Sequence, residues 1–135
     1  MFIYNASAID FKKGNHPTSD NMLAIQIVDP AGLPPQSPHA FKETHIFEFL
    51  DIEDNDEYVD EFGVTDEQAE QLVALLRKAI EQQMDIVVHC TAGMCRSGAV
   101  VEVGVMMGFT DPLVFRLPNT RVKQKMMKSL GWTYD

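Results

Sequence analysis

The stretch Asp85-Ile86-Val87-Val88-His89-Cys90-Thr91-Ala92-Gly93-Met94-Cys95-Arg96-Ser97-Gly98 decides the fold of this chain. Residues 85–89 form a short apolar, partly β-branched run, the composition of a buried strand. Residues 97–107 are apolar with small side chains and read as a helix packed inside a domain. Between strand and helix lies a five-residue loop, 91–95, with a glycine at its centre. A cysteine closes the strand, and an arginine and a serine open the helix.

The same reading extends outward in both directions. Thr65-Asp66-Glu67-Gln68 has the form of a capping box, in which the Thr65 hydroxyl and the Gln68 side chain satisfy free amides at a helix start. Ala69, Leu72, Val73, Leu76, Ala79 and Ile80 follow at helical spacing, which predicts a helix to about Gln83. Residues 44–49 (THIFEF) alternate as a strand does, and 22–28 (MLAIQIV) read as a buried strand. Residues 29–39 carry Pro30, Gly32, Pro34, Pro35 and Pro38 and are expected to be a loop. A short strand is expected at 2–4, a capped helical turn at Asp111-Pro112, and a last helix from Pro118-Asn119 to Leu130-Gly131. Residues 50–63 are acidic and irregular. Strand and helix alternate, so the fold class is α/β, with a mainly parallel central sheet flanked by helices. Ligands of such sheets sit beyond the carboxyl ends of the strands, which directs attention to the loop after His89.

That loop has the parts of an anion site. Cysteine reacts as the thiolate, and a helix N-terminus favours negative charge. A short curled loop turns its backbone N–H groups inward, a nest for a tetrahedral oxyanion such as phosphate. Gly93 supplies the backbone freedom the curl needs. The amides of Thr91, Ala92, Gly93, Met94 and Cys95, with the planar fork of Arg96, are the expected substrate-binding groups. Cys90 is placed to attack phosphorus, Ser97 to hydrogen-bond the thiolate, and His89 to orient the loop.

Composition bounds the rest. The 135 residues are 45% hydrophobic and 23% charged, an ordinary globular mix that fits a single domain over 1–135. A chain of this size buries roughly two-thirds of its unfolded surface and needs no metal or disulfide staple. Its net charge is −9, which makes nucleic acid an unlikely partner and argues against anionic membranes. The charge is uneven. Eleven acidic and no basic residues lie between Glu48 and Glu70, and five basic and no acidic ones between Arg116 and Lys128. Most of both blocks are expected to be solvated faces. No apolar run reaches the roughly 20 residues of a membrane span. The start Met1-Phe2-Ile3-Tyr4-Asn5 is not that of a signal peptide, so the cytoplasm is the expected compartment. A monomer is expected. His16, His39 and His45 have no metal-ligand spacing, so neither metal nor other cofactor is expected. The two cysteines sit five residues apart in one segment and cannot staple distant parts of a scaffold.

Cys90, five residues and Arg96, preceded by His89 and followed by Ser97, resemble the signature of the cysteine-dependent protein tyrosine phosphatases. The Ala92-Gly93 pair and the small size resemble the dual-specificity branch, and the element order resembles its short microbial members. The Trp-Pro-Asp acid loop of the large tyrosine-specific enzymes is absent. The resemblance implies a dual-specificity phosphatase-like three-layer fold and hydrolysis of phosphate monoesters through a cysteinyl-phosphate on Cys90. The expected substrates are a phosphorylated protein, on tyrosine and also on serine or threonine, or a small phosphomonoester. It also implies an aspartate general acid on the loop after an earlier strand, and Asp51 stands there. Asp54 and Asp56 are the substitutes, because Asp51 precedes Cys90 by 39 residues, long for the family. Where the branch has Ser before the arginine, this chain has Cys95, as the low-molecular-weight enzymes do. Cys95 is either a partner that traps oxidised Cys90 as a disulfide or a small buried loop residue.

Two rival functions share the loop. A phosphate-binding module would hold a phosphorylated partner without turnover. A sulfur-transfer or arsenate-reducing enzyme also uses a cysteine in an anion loop. The intact Cys90, Arg96 and Ser97 with an acid nearby favour the phosphatase. A kinase-type nucleotide loop is excluded, because no Gly-Lys-Ser/Thr follows the glycine. Asn119 is read either as a cap of the last helix or as a support of the loop.

Overall fold

A computed structural model describes residues 1–132. Four strands form one sheet, β1 (Ile3–Ser7), β2 (Met22–Val28), β3 (Glu43–Glu48) and β4 (Asp85–Cys90), in the order β1-β4-β2-β3. Every pairing in it is parallel. The helices are α1 (Ala8–Lys13), α2 (Val59–Phe62), α3 (Asp66–Gln82), α4 (Arg96–Met107) and α5 (Thr120–Ser129). The expected α/β class and parallel sheet are what the chain adopts.

Strand alternation sorts the two faces of the sheet. Ile86, Val88 and Cys90 of β4, with Leu23, Ile25 and Ile27 of β2, join the large core under α3, α4 and α5. Val87 of β4, with Met22 and Ala24 of β2, lies on the opposite face against Phe11 of α1. The middle layer is therefore covered on both sides, and the central strands are mainly apolar on both faces, with Gln26 and His89 as buried polar exceptions. This parity sends Cys90 to one face and its neighbour His89 to the other.

The capping box forms as read: Thr65 Oγ1 accepts from the Gln68 amide at 3.1 Å, and Gln68 Oε1 accepts from the Thr65 amide at 3.0 Å. The Gln68 side-chain amide also donates to the Glu48 carbonyl, tying the start of α3 to the end of β3. Other boundaries move. The first strand runs to Ser7 rather than Tyr4, because it pairs with β4 as far as Cys90. Helix α1 was not anticipated; six residues are too few for a periodic pattern, although Ser7 caps its start and Gly14 ends it in a left-handed conformation. The turn expected at Asp111-Pro112 is not helical. Asp111 Oδ1 accepts from the Leu113 amide at 2.8 Å and pairs with Arg116, so the carboxylate is used to shape a loop.

Most of the acidic block is solvated, as expected, but part of it pairs with the basic one across α5. Asp54 pairs with Arg121 at 2.7 Å and Asp66 with Lys125 at 2.6 Å. Glu53 accepts from the backbone amides of Thr120 and Arg121, at the start of α5. The acidic segment is in this way laid along α5, and that places the loop after β3 beside the loop after β4. No described helix is long and apolar enough to cross a membrane.

Candidate active site

The loop between β4 and α4 is held from outside by its carbonyls. Thr91 O accepts from the Ala8 amide, Met94 O from Leu117, and Cys95 O from Asn119 and Ala99, at 2.9–3.2 Å. Its amides are left over. None of the N–H groups of residues 91–95 donates to a protein acceptor among the described residues. Cys95, at the N-cap of α4, supplies no side-chain cap. Three of its five carbonyls are spent outward while its amides have no protein partner, a pattern that suits an anion nest.

Gly93 makes the curl possible. Its φ is +69°, and a Cβ there would stand 2.6 Å from the backbone of Ala6 and Ser7. Both the conformation and the space exclude a side chain. Gly93→Ala is therefore expected to destabilise the fold by about 1–3 kcal/mol and to weaken binding of an oxyanion such as vanadate. Urea unfolding and vanadate titration measure the two effects.

Cys90 closes β4 at 2% exposure. Its Sγ lies 3.1 Å from Ser97 Oγ. The Ser97 hydroxyl donates to Asn5 Oδ1 on β1. A hydroxyl has one proton, so in this arrangement Ser97 accepts from the Cys90 thiol.

Arg96 is buried, and its contacts divide its guanidinium in two. Nη1 donates to Asp29 Oδ1 and to the Phe49 carbonyl, both at 2.7 Å. Nη2 donates to Thr91 Oγ1 at 3.0 Å, and Nε is buried with no partner. A buried N–H without an acceptor is costly. The Nε–Nη2 edge is thus left for a planar, two-oxygen ligand, while Asp29 and Phe49 O fix the opposite corner.

Asp51 is drawn to the loop. Its Oδ1 accepts from Asn119 Nδ2 at 2.7 Å, and its carboxylate hydrogen-bonds the Cys95 thiol. Burial, then the charge and hydrogen bond of Asp51, push the Cys95 thiol up from its ordinary value. Both cysteines are free. Asp54 is turned outward to Arg121, and Asp56 Oδ1 accepts from the Tyr58 amide. Of the three acids, Asp51 alone is tied to a loop residue. Asn119 performs the expected capping role, but it supports the loop through its backbone amide and not its side chain. Its Oδ1 caps α5 at Val122, and its Nδ2 and backbone amide join Asp51 and Ile52 to Cys95.

His89 lies on the α1 side, as strand parity requires. Its Nε2 pairs with Gln26 Oε1 at 3.1 Å, and its ring lies 4.5 Å from that of Phe11. Burial is the main cause that lowers its pKa to about 4, so the ring is neutral between pH 5 and 8. Its Nδ1 is buried with no hydrogen-bond partner, so the ring makes no hydrogen bond to the loop among the described residues. Its role in orientation is narrower than expected from its place in the signature.

Four participants were not singled out from sequence: Asn5, Gln26, Asp29 and the Phe49 carbonyl. Asn5 and Gln26 are polar residues inside apolar strands, and that was the available signal. Asp29 was absorbed into the proline-rich loop.

The sequence matches no family model and no curated protein. The fold does match solved structures. A human tyrosine phosphatase-like serine/threonine/tyrosine-interacting protein superposes with a TM-score of 0.63 at 13% identity, covering 96% of this chain and 91% of that one. Human DUSP28 superposes with a TM-score of 0.57 at 16% identity, covering 94% and 90%. The chain has the tyrosine phosphatase-like fold of dual-specificity type, over nearly its whole length.

Proposed function

We propose that this chain hydrolyses phosphate monoesters, protein phosphotyrosine and also phosphoserine and phosphothreonine, through a cysteinyl-phosphate on Cys90. The observation that carries the reading is the buried, unpartnered Nε of Arg96 beside a loop whose amides are unspent. Such unspent donors suit one tetrahedral dianion, and Cys90 ends the strand that leads into the loop. The dianion binds on the loop amides and the Arg96 edge. The Cys90 thiolate attacks phosphorus, and Asp51 protonates the departing oxygen. Asp51 then takes a proton from the water that attacks the cysteinyl-phosphate, and Cys90 leaves as the thiolate with a hydrogen bond from Ser97. The reading carries with it a monomer acting in the cytoplasm on a phosphorylated protein or small phosphomonoester.

A second reading is a module that holds a phosphorylated partner without turnover. It is favoured by the description of one structural neighbour as a phosphatase-like interacting protein. Hydrolysis of an aryl phosphate without metal, by the wild type and by Cys90→Ser, separates the two. Turnover lost in the variant supports the enzyme. A folded, reduced wild type that binds vanadate and turns over nothing supports the module.

A further inference from the structure

The Asn5 side chain has an unexplained end. Its Oδ1 takes the Ser97 proton, while its Nδ2 is buried with no partner. Asn5 sits on β1, opposite Val88 in the β1–β4 register and two residues before the partner of Cys90. It shares hydrogen bonds only with Ser97 among the described residues. A primary amide carries a donor and an acceptor at nearly equivalent positions, exchanged by a half-turn about its last side-chain bond.

We propose that Asn5 is a positioning residue that directs the Ser97 proton, and that its amide turns when Cys90 ionises. In the setting described above the chain of donors runs from the Cys90 S–H to Ser97 Oγ and from the Ser97 O–H to Asn5 Oδ1. This setting holds the thiol and leaves Nδ2 orphaned. When Cys90 loses its proton to water, Ser97 must donate to the sulfur, and its oxygen needs a new donor. The half-turn brings Nδ2 to Ser97 Oγ and satisfies the orphan. Its carbonyl takes the vacated place, where a missing partner costs less than it does for an N–H. Relief of the orphan thus belongs to the thiolate setting, and Asn5 favours the nucleophile's reactive form through Ser97. The inference rests on the phosphatase reading for its purpose but not for its test.

The charged and titratable groups around this chain are Arg96 with Asp29 on its outer corner, Cys95 with Asp51, and neutral His89 on the far face. None of them hydrogen-bonds to Asn5, so a change at Asn5 reaches the sulfur through Ser97.

The test is the pH profile of Cys90 alkylation by iodoacetamide, read site by site by peptide fragmentation so that Cys95 is scored apart. Four proteins are compared: wild type, Asn5→Leu, Ser97→Ala and the double variant. The expected result is a profile midpoint about half a unit to one unit higher in Asn5→Leu than in wild type, with no further shift when Asn5→Leu is added to Ser97→Ala. A midpoint that is unchanged or lower in Asn5→Leu overturns the proposal. So does an equal shift in both backgrounds, which would mark a general disturbance of the strand. If Asn5→Leu does not fold, Asn5→Ser, polar but too short to reach Ser97, is read by the same criteria. Alkylation reports the sulfur whether or not the protein turns over. A failed proposal and a failed phosphatase reading are therefore distinguishable, since wild-type aryl phosphate hydrolysis is measured alongside.

Discussion

Arg96→Lys is expected to lower kcat/KM for an aryl phosphate by about 10³-fold while leaving the fold intact. The reason lies in how the guanidinium is shared. Its Nη1 corner is spent on Asp29 and the Phe49 carbonyl, and a lysine ammonium can replace that corner as a point charge. It cannot replace the Nε–Nη2 edge, whose two parallel N–H vectors are the part left for phosphate oxygens. Because the Asp29 pairing persists in the variant, thermal unfolding should move little while both vanadate affinity and turnover fall. An equal loss in stability and activity would mean that Arg96 is a structural anchor. Unchanged turnover would remove it from the site.

Asp51→Asn is expected to lower kcat for a poor leaving group, such as a phenyl phosphate, by about 10²–10³-fold. An asparagine keeps the acceptor that receives Asn119 Nδ2, so the loop after β3 stays docked on α5. What it loses is the transferable proton. The effect should shrink as the leaving phenol becomes more acidic, because a good leaving group departs without protonation. Asp54→Asn is the control: its carboxylate is directed to Arg121, and turnover within about twofold of wild type is expected. If Asp54→Asn collapses turnover and Asp51→Asn does not, the acid has been assigned to the wrong residue.

What the sequence disclosed follows from how far apart the interacting groups lie. The loop from Cys90 to Ser97 is contiguous, so its strand, curl and helix could be read from one window. Asp51 could be placed because it follows a strand end directly. Asn5 and Ser97 are separated by 92 residues, and Asp29 and Arg96 by 67. Only the strand order β1-β4-β2-β3 and its register bring them together. The pairing of His89 with Gln26 follows from the β2–β4 register, in which the two are direct partners on one face of the sheet. The opposed charge blocks were legible as blocks, but their partial pairing required knowing that the acidic segment packs along α5. Helix α1 was missed for a local reason: its cap signals were present, but its six residues carry too little periodicity.

The central claim is covalent chemistry at Cys90, and trapping the intermediate tests it most directly. The wild type is mixed with an aryl phosphate, quenched in acid within the first turnovers, and its intact mass and peptides are measured. One added phosphoryl group per chain is expected, carried on Cys90, labile as a thiophosphate and absent in Cys90→Ser. Steady turnover with no phosphoryl group on Cys90, or a phosphoryl group that persists in Cys90→Ser, would contradict it.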